Sequence, residues 1–198
     1  MNTTNTTSPG RVAALLLACA LVPVAWAQDA QPPWVADARK VALAVPPKLV
    51  SVLQAEIERA GAEGAVAVCK DQAPALARAA SEQSGWSVRR VSLRNRNPKA
   101  VPDAWERAAL EDFDRRAAAK EPPARLERAE QTMENGQAVQ RYMRALPTAE
   151  LCLGCHGAPE SLAPAVTARL KALYPDDHAT GYRVGDIRGA ITLRRAAP

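Results

Sequence analysis

Cys152-Leu153-Gly154-Cys155-His156 constrains this chain more than any other stretch of it. Two thiols separated by two residues and followed at once by an imidazole have the spacing used for covalent haem attachment. Both sulfurs reach the vinyl groups on one edge of the porphyrin and add across them as thioethers, and the adjacent His lies under the iron and binds it through a ring nitrogen. A fold built around such a motif has to accommodate a large, flat, apolar body. The composition suits this: only 4% of the 198 residues are aromatic and there is a single Phe, so aliphatic residues and Ala must fill the core, and a haem would add to it. Two other uses of the motif fit less well. A redox CxxC of thioredoxin type needs a βαβ setting after a strand, which Glu150-Leu151 and the Gly- and Pro-containing tail do not supply. Half of a zinc site would need a second CxxC or an HxxxH, and the only other histidine is His178.

The N-terminus points to export. Arg11 gives a weakly positive start, an apolar run follows from Val12 to Trp26, and Ala25-Trp26-Ala27 has the small-x-small pattern that predicts cleavage before Gln28. The expected organisation is a signal peptide at 1–27, a Pro-containing leader at 28–34 and a haem domain at 35–198, placed in the periplasm. Leu16-Leu17-Ala18-Cys19 resembles a lipobox, so lipidation at Cys19 is the lesser alternative. Elsewhere no stretch reaches the ~18 apolar residues that a membrane span requires. The formal net charge of +5 reads first as a mildly basic solvated surface carrying Arg89-Arg90, Arg94, Arg96, Arg115-Arg116 and Arg194-Arg195. No basic helix is interleaved with aromatics, which argues against nucleic acid. The charge can also serve docking to an acidic redox partner or contact with haem propionates.

With Cys19 in the leader and Cys152 and Cys155 in the motif, Cys69 is left unpaired in an oxidising compartment, where a stray thiol is a liability. Candidates for a second axial ligand are Cys69, His178, Met133 and Met143. The two methionines flank Asn135-Gly136, a two-residue hairpin signal, and read as core or surface positions of paired strands at 125–133 and 137–145. His178 sits in a polar turn and reads as solvated. Cys69 ends the apolar run Ala65-Val66-Ala67-Val68. It is either a small buried thiol or a ligand that loses its proton near the metal.

Periodicity predicts an amphipathic helix over 34–59, broken near Pro46-Pro47 and ended by Gly61 and Gly64. A short strand or helix edge follows at 65–69, then a helix over 73–84 opened by Pro74, a strand over 86–93 and a polar loop at 94–98. A second amphipathic helix covers 102–120, followed by the hairpin, the haem loop at 150–159, a short helix at 161–173 and a last strand at 186–195. Helices followed by antiparallel strands make an α+β domain.

Several segments stand in a recognisable order: Val68-Cys69 with Ala73-Pro74; Arg96-Asn97-Pro98; Trp105-Glu106 with Leu110 and Phe113; Cys152 to Gly157; and Tyr174-Pro175, Gly181-Tyr182 and Gly185-Asp186-Ile187-Arg188-Gly189-Ala190. Over roughly 40–195 the chain resembles the single-haem c-type family with a PAS-like fold, whose members occur alone in the periplasm or as extracytoplasmic sensor modules. The resemblance implies a twisted antiparallel sheet with flanking helices and a six-coordinate haem, His156 on one side and the family's Cys, matching Cys69, on the other. It departs from the family at Ala100, where Asn is usual. If the 97–102 loop helps seat the haem, its hydrogen bonding must differ here.

A thiolate favours Fe(III), so such an iron should have a low reduction potential, and two protein ligands leave no open site for substrate. The expected function is redox or gas sensing through a protein partner, with a diatomic gas or reduction displacing the weaker ligand. A periplasmic electron carrier is the alternative and a small peroxidase the second; enzymatic turnover is not expected.

Overall fold

The computed structural model describes residues 1, 2 and 31–198, and Gln31–Pro198 forms one compact unit. The leader, its cleavage site and Cys19 lie outside the described residues.

Helix α1 (Pro33–Ser84) is 52 residues long, interrupted at Ala60 and Gly61, where Gly61 takes φ +72°. A straight helix of that length would span about 78 Å, yet the rings of Trp34 and Trp86, at its two ends, lie 6.2 Å apart. The chain therefore reverses at Ala60–Gly61, and α1 is a helical hairpin with two arms. Gly61 ends the first arm as its sequence predicts, but Pro46 and Pro47 do not break it. The carbonyls deprived of partners by the two prolines belong to Ala42 and Leu43; Leu43 is exposed and water can satisfy its carbonyl. The 65–69 segment, expected as a short strand or helix edge, is helical and continuous with 73–84. A short apolar run does not distinguish a strand from a buried helix face, and here Ala65 and Val66 are buried.

After α1 come β1 (Ser87–Val91), α2 (Ala104–Ala118), β2 (Glu127–Glu134), β3 (Gln137–Pro147), the single helical turn α3 (Leu153–His156), α4 (Pro164–Leu173) and β4 (Ile187–Ala196). The four strands form one antiparallel sheet in the order β1-β4-β3-β2. This is the α+β class, an antiparallel sheet with flanking helices, as the sequence segments implied. The hairpin turns at Asn135 (φ 51°) and Gly136 (φ 81°), the two positive φ values of a type I′ turn. Asp103 and Glu106 cap α2 reciprocally.

Alternation along the strands gives the sheet two buried faces. Val88, Tyr142, Ile191 and Leu193 pack with Trp86 against Val35, Ala38, Ala42 and Val45 of the first arm of α1. Val91, Met143, Ala145, Ile187 and Ala190 pack against Ala109, Leu110 and Phe113 of α2. Strand β4 departs from alternation once. Ala190 pairs with Ala145 and Ile187 with Pro147, so Arg188 and Gly189 both oppose Leu146. This is a β-bulge, a device that re-aims side chains. Gly189 is obligatory there: at φ +141° a Cβ would lie 2.3 Å from the carbonyl oxygen of Val91. No helix among the described residues is long and apolar enough to cross a membrane.

Candidate functional site

Cys152 closes a 3-10 turn (Glu150–Cys152), and Leu153–His156 is one helical turn that continues it. This brings both thiols and the imidazole onto a tight, locally hydrogen-bonded segment. A second loop holds that segment from outside: Gly181 N–H donates to Gly157 O (2.6 Å) and Tyr182 N–H to His156 O (2.9 Å). The Tyr182 ring meets the imidazole edge-on at 6.4 Å.

His156 is oriented as a ligand would be. Its Nδ1 lies 2.7 Å from Ala179 O. A carbonyl can only accept, so Nδ1 carries the proton and Nε2 keeps its lone pair. Burial, reinforced by Arg188 and Arg96, holds the ring well below the usual imidazole range, in its neutral form. Nε2 faces two guanidiniums, Arg188 Nη1 at 3.2 Å and Arg96 Nη1 at 3.5 Å.

Cys155 packs into an apolar cluster formed by Val66 of the second arm of α1 and by Val166, Leu170 and Tyr174. Cys69 lies one helical turn beyond Val66. Burial raises its thiol above the ordinary value, against the pull of Arg188, Arg90 and Arg96, the same three arginines that act on His156. Burial raises Cys155 likewise. The three cysteines described are all unbridged. The structure thus brings the predicted residues Cys69, Cys152, Cys155 and His156 into one neighbourhood. Among the described residues no three His, Cys, Asp or Glu side chains converge to bind a bare metal ion.

The other ligand candidates fall elsewhere. Met133 is exposed, and Met143 is buried on the α2 face, which β3's alternation turns away from the face that α1 covers. His178 is exposed, and its main chain bonds Asn95 and Arg94. Ala100, at the departure from the family pattern, serves through its backbone: its carbonyl accepts from Ser92 N–H at 3.0 Å.

The first reading of the charge, a mildly basic solvated surface, does not hold for three of the arginines, which no residue pattern had singled out for this site. Arg96, 9% exposed, pairs with Asp177 at 2.9 Å and donates to Cys155 O at 2.6 Å, tying the cysteine turn to the 174–182 loop. Arg90 and Arg188 are partly buried and pair with no carboxylate among the described residues. Burial, aided by Arg188, pulls the Arg90 guanidinium down to about 9, still charged at neutral pH. Arg188 is lowered too, by burial first. Its Nε is buried and has no hydrogen-bond partner among the described residues. Alternation from Val88 places Arg90 on the face that α1 covers, a signal that could have been read.

An antiparallel sheet faced by a helical hairpin and carrying a Cys-x-x-Cys-His turn with a poised imidazole defines the class of this protein. The Tll0287-like family matches residues 20–195, and the chain belongs to that family. Among solved structures, the crystal structure of the cyanobacterial heme-protein Tll0287 matches with a TM-score of 0.63 at 23% identity, covering 85% of this chain and 98% of that one. At that identity the likeness is one of fold. No curated protein matches this chain. The resemblance drawn from the sequence segments agrees with the family match.

Proposed function

We propose that this chain is a periplasmic c-type haem protein. In this reading Cys152 and Cys155 would hold one haem as thioethers, and His156 and Cys69 would supply the two protein ligands of its iron. The observation that carries it is the tautomer of His156: within a Cys-x-x-Cys-His turn, Nδ1–H is given to Ala179 O, which leaves Nε2 as a lone-pair donor. The donor set fits the group. That Tll0287, which shares the fold, is a heme-protein supports the same cofactor.

When bound, haem supplies a one-electron couple. The chain's own part is to hold the imidazole at fixed orientation through Ala179, to shield Cys155 against Val66, Val166 and Leu170, and to place positive charge beside the turn. Two protein ligands suit redox or gas sensing through a partner, where the weaker ligand yields, better than turnover of a substrate.

The mature protein from a host that attaches haem should keep its pigment in acidified organic solvent, and Cys152→Ala combined with Cys155→Ala should release it. Freely extracted wild-type pigment, or none, would sink the reading. Cys69→Ala should retain the pigment, alter the ferric EPR spectrum and raise the potential. Loss of a ligand on reduction or on adding CO supports sensing; retention of both with fast exchange supports an electron carrier.

A further inference from the structure

The three arginines of the site have a charge balance that the protein alone does not close. Arg96 is paired with Asp177, so that pair is neutral. Among the described residues Arg90 and Arg188 have no carboxylate partner, and the buried Arg188 Nε has no partner of any kind. The contacts they do make use few of their donors: Arg90 Nη2 reaches Arg188 O at 3.5 Å, and Arg188 Nη1 reaches His156 Nε2 at 3.2 Å. Unpaired buried charge is costly, and a guanidinium is a rigid fork matched to a carboxylate. Without haem Arg188 rests on His156 Nε2, the atom that the haem reading assigns to iron, so its guanidinium would have to swing off that nitrogen when the group is held. Arg90 lies on β1 and Arg188 in the bulge of β4, on adjacent strands, and Ser92 Oγ donates to Arg188 O at 3.0 Å.

We propose that Arg90 and Arg188 form a receptor for the two carboxylates of the bound porphyrin. This rests on the haem reading above and adds a role for two residues outside the cysteine motif. Two monoanions complete the balance of two unpaired cations, and the forks supply the directed donors. Arg96, already paired with Asp177, orients the cysteine turn instead. A receptor of this kind makes the site selective for a dicarboxylate porphyrin, and its positive charge stabilises the electron-rich, reduced form of the iron.

Two measurements test this. In the first, the full-length chain prepared without haem is titrated with protoporphyrin IX and with its dimethyl ester, read by porphyrin fluorescence. The diacid should bind about tenfold or more tightly, as expected for charge-assisted hydrogen bonds, and equal binding of the two would overturn the proposal. In the second, holoprotein carrying Arg188→Gln or Arg90→Gln should keep covalent haem but show a lower midpoint potential, with Arg188→Lys recovering part of the shift. A potential and a ferric spectrum unchanged in both Gln variants would also overturn it. If the wild type attaches no haem, the haem reading fails and takes this proposal with it. Attached haem with unaltered Gln variants removes the proposal alone.

Discussion

Two clusters of arginines lie on opposite faces of the same sheet, and they are built differently. On the α2 side, Arg89 and Arg141 converge on Glu106, which is 2% exposed, and Arg141 also meets Asp103 and Glu134. Only its Nε is unpartnered, while the guanidinium also covers the Trp105 ring at 4.5 Å. On the α1 side, Arg96 and Arg188 reach His156 and Arg90 stands against Arg188, with a single carboxylate, Asp177, paired among the three. The first cluster is closed by its own acids and locks α2 to the sheet. The second is open by two charges, which is the arrangement expected where a ligand supplies the anions.

If that contrast holds, the two clusters should answer mutation oppositely. The largest effect is expected at Glu106. Glu106→Gln removes a buried carboxylate from between Arg89 and Arg141 and weakens the α2 cap, although Arg141 keeps Asp103 and Glu134, and should cost about 2–3 kcal/mol in urea unfolding; a loss below about 1 kcal/mol would mean the closed cluster is not structural. Asp103→Ala should cost about 1 kcal/mol through loss of the α2 cap. Burial raises the Asp103 carboxyl, but the Glu106 N–H and Arg141 outweigh it and leave the group below its usual value. The native value thus lies under the unfolded one of about 3.9. The contribution is whole at neutral pH and fades as pH falls below about 4, so the gap between wild type and variant should narrow over that window. The smallest effect belongs to the open cluster. Arg188→Met in the haem-free chain should leave stability within about 0.5 kcal/mol or raise it, since an uncompensated charge is removed. A loss comparable to that at Glu106 would erase the distinction.

Much of this was readable from residues. The Asn135-Gly136 turn, the α2 helix with its Asp103-x-x-Glu106 cap and the last strand follow from local chemistry and lie within a few residues of their expected bounds. The cysteine turn was legible because its spacing is itself a chemical constraint. What escaped depends on distant contacts. Pro46 and Pro47 predicted a break that an exposed stretch of helix absorbs. Arg188 looks like ordinary surface charge until strand pairing and the β4 bulge turn it toward His156. The carbonyl of Ala179, which sets the imidazole's proton, carries no side-chain signal at all.

The reversal of α1 at Ala60–Gly61 also gives the protein a ruler. Cys69 hangs on the returning arm, whose far end is clamped where Ser81 Oγ accepts from Val88 N–H at 2.9 Å. The bearing of the thiol is therefore counted in helical steps from that clamp and not from the tip. A residue added at the tip would be taken up beyond Cys69. One inserted between Cys69 and Ser81 would swing the sulfur by about 100° and lift it by about 1.5 Å, changing its bearing without touching any residue of the cysteine turn.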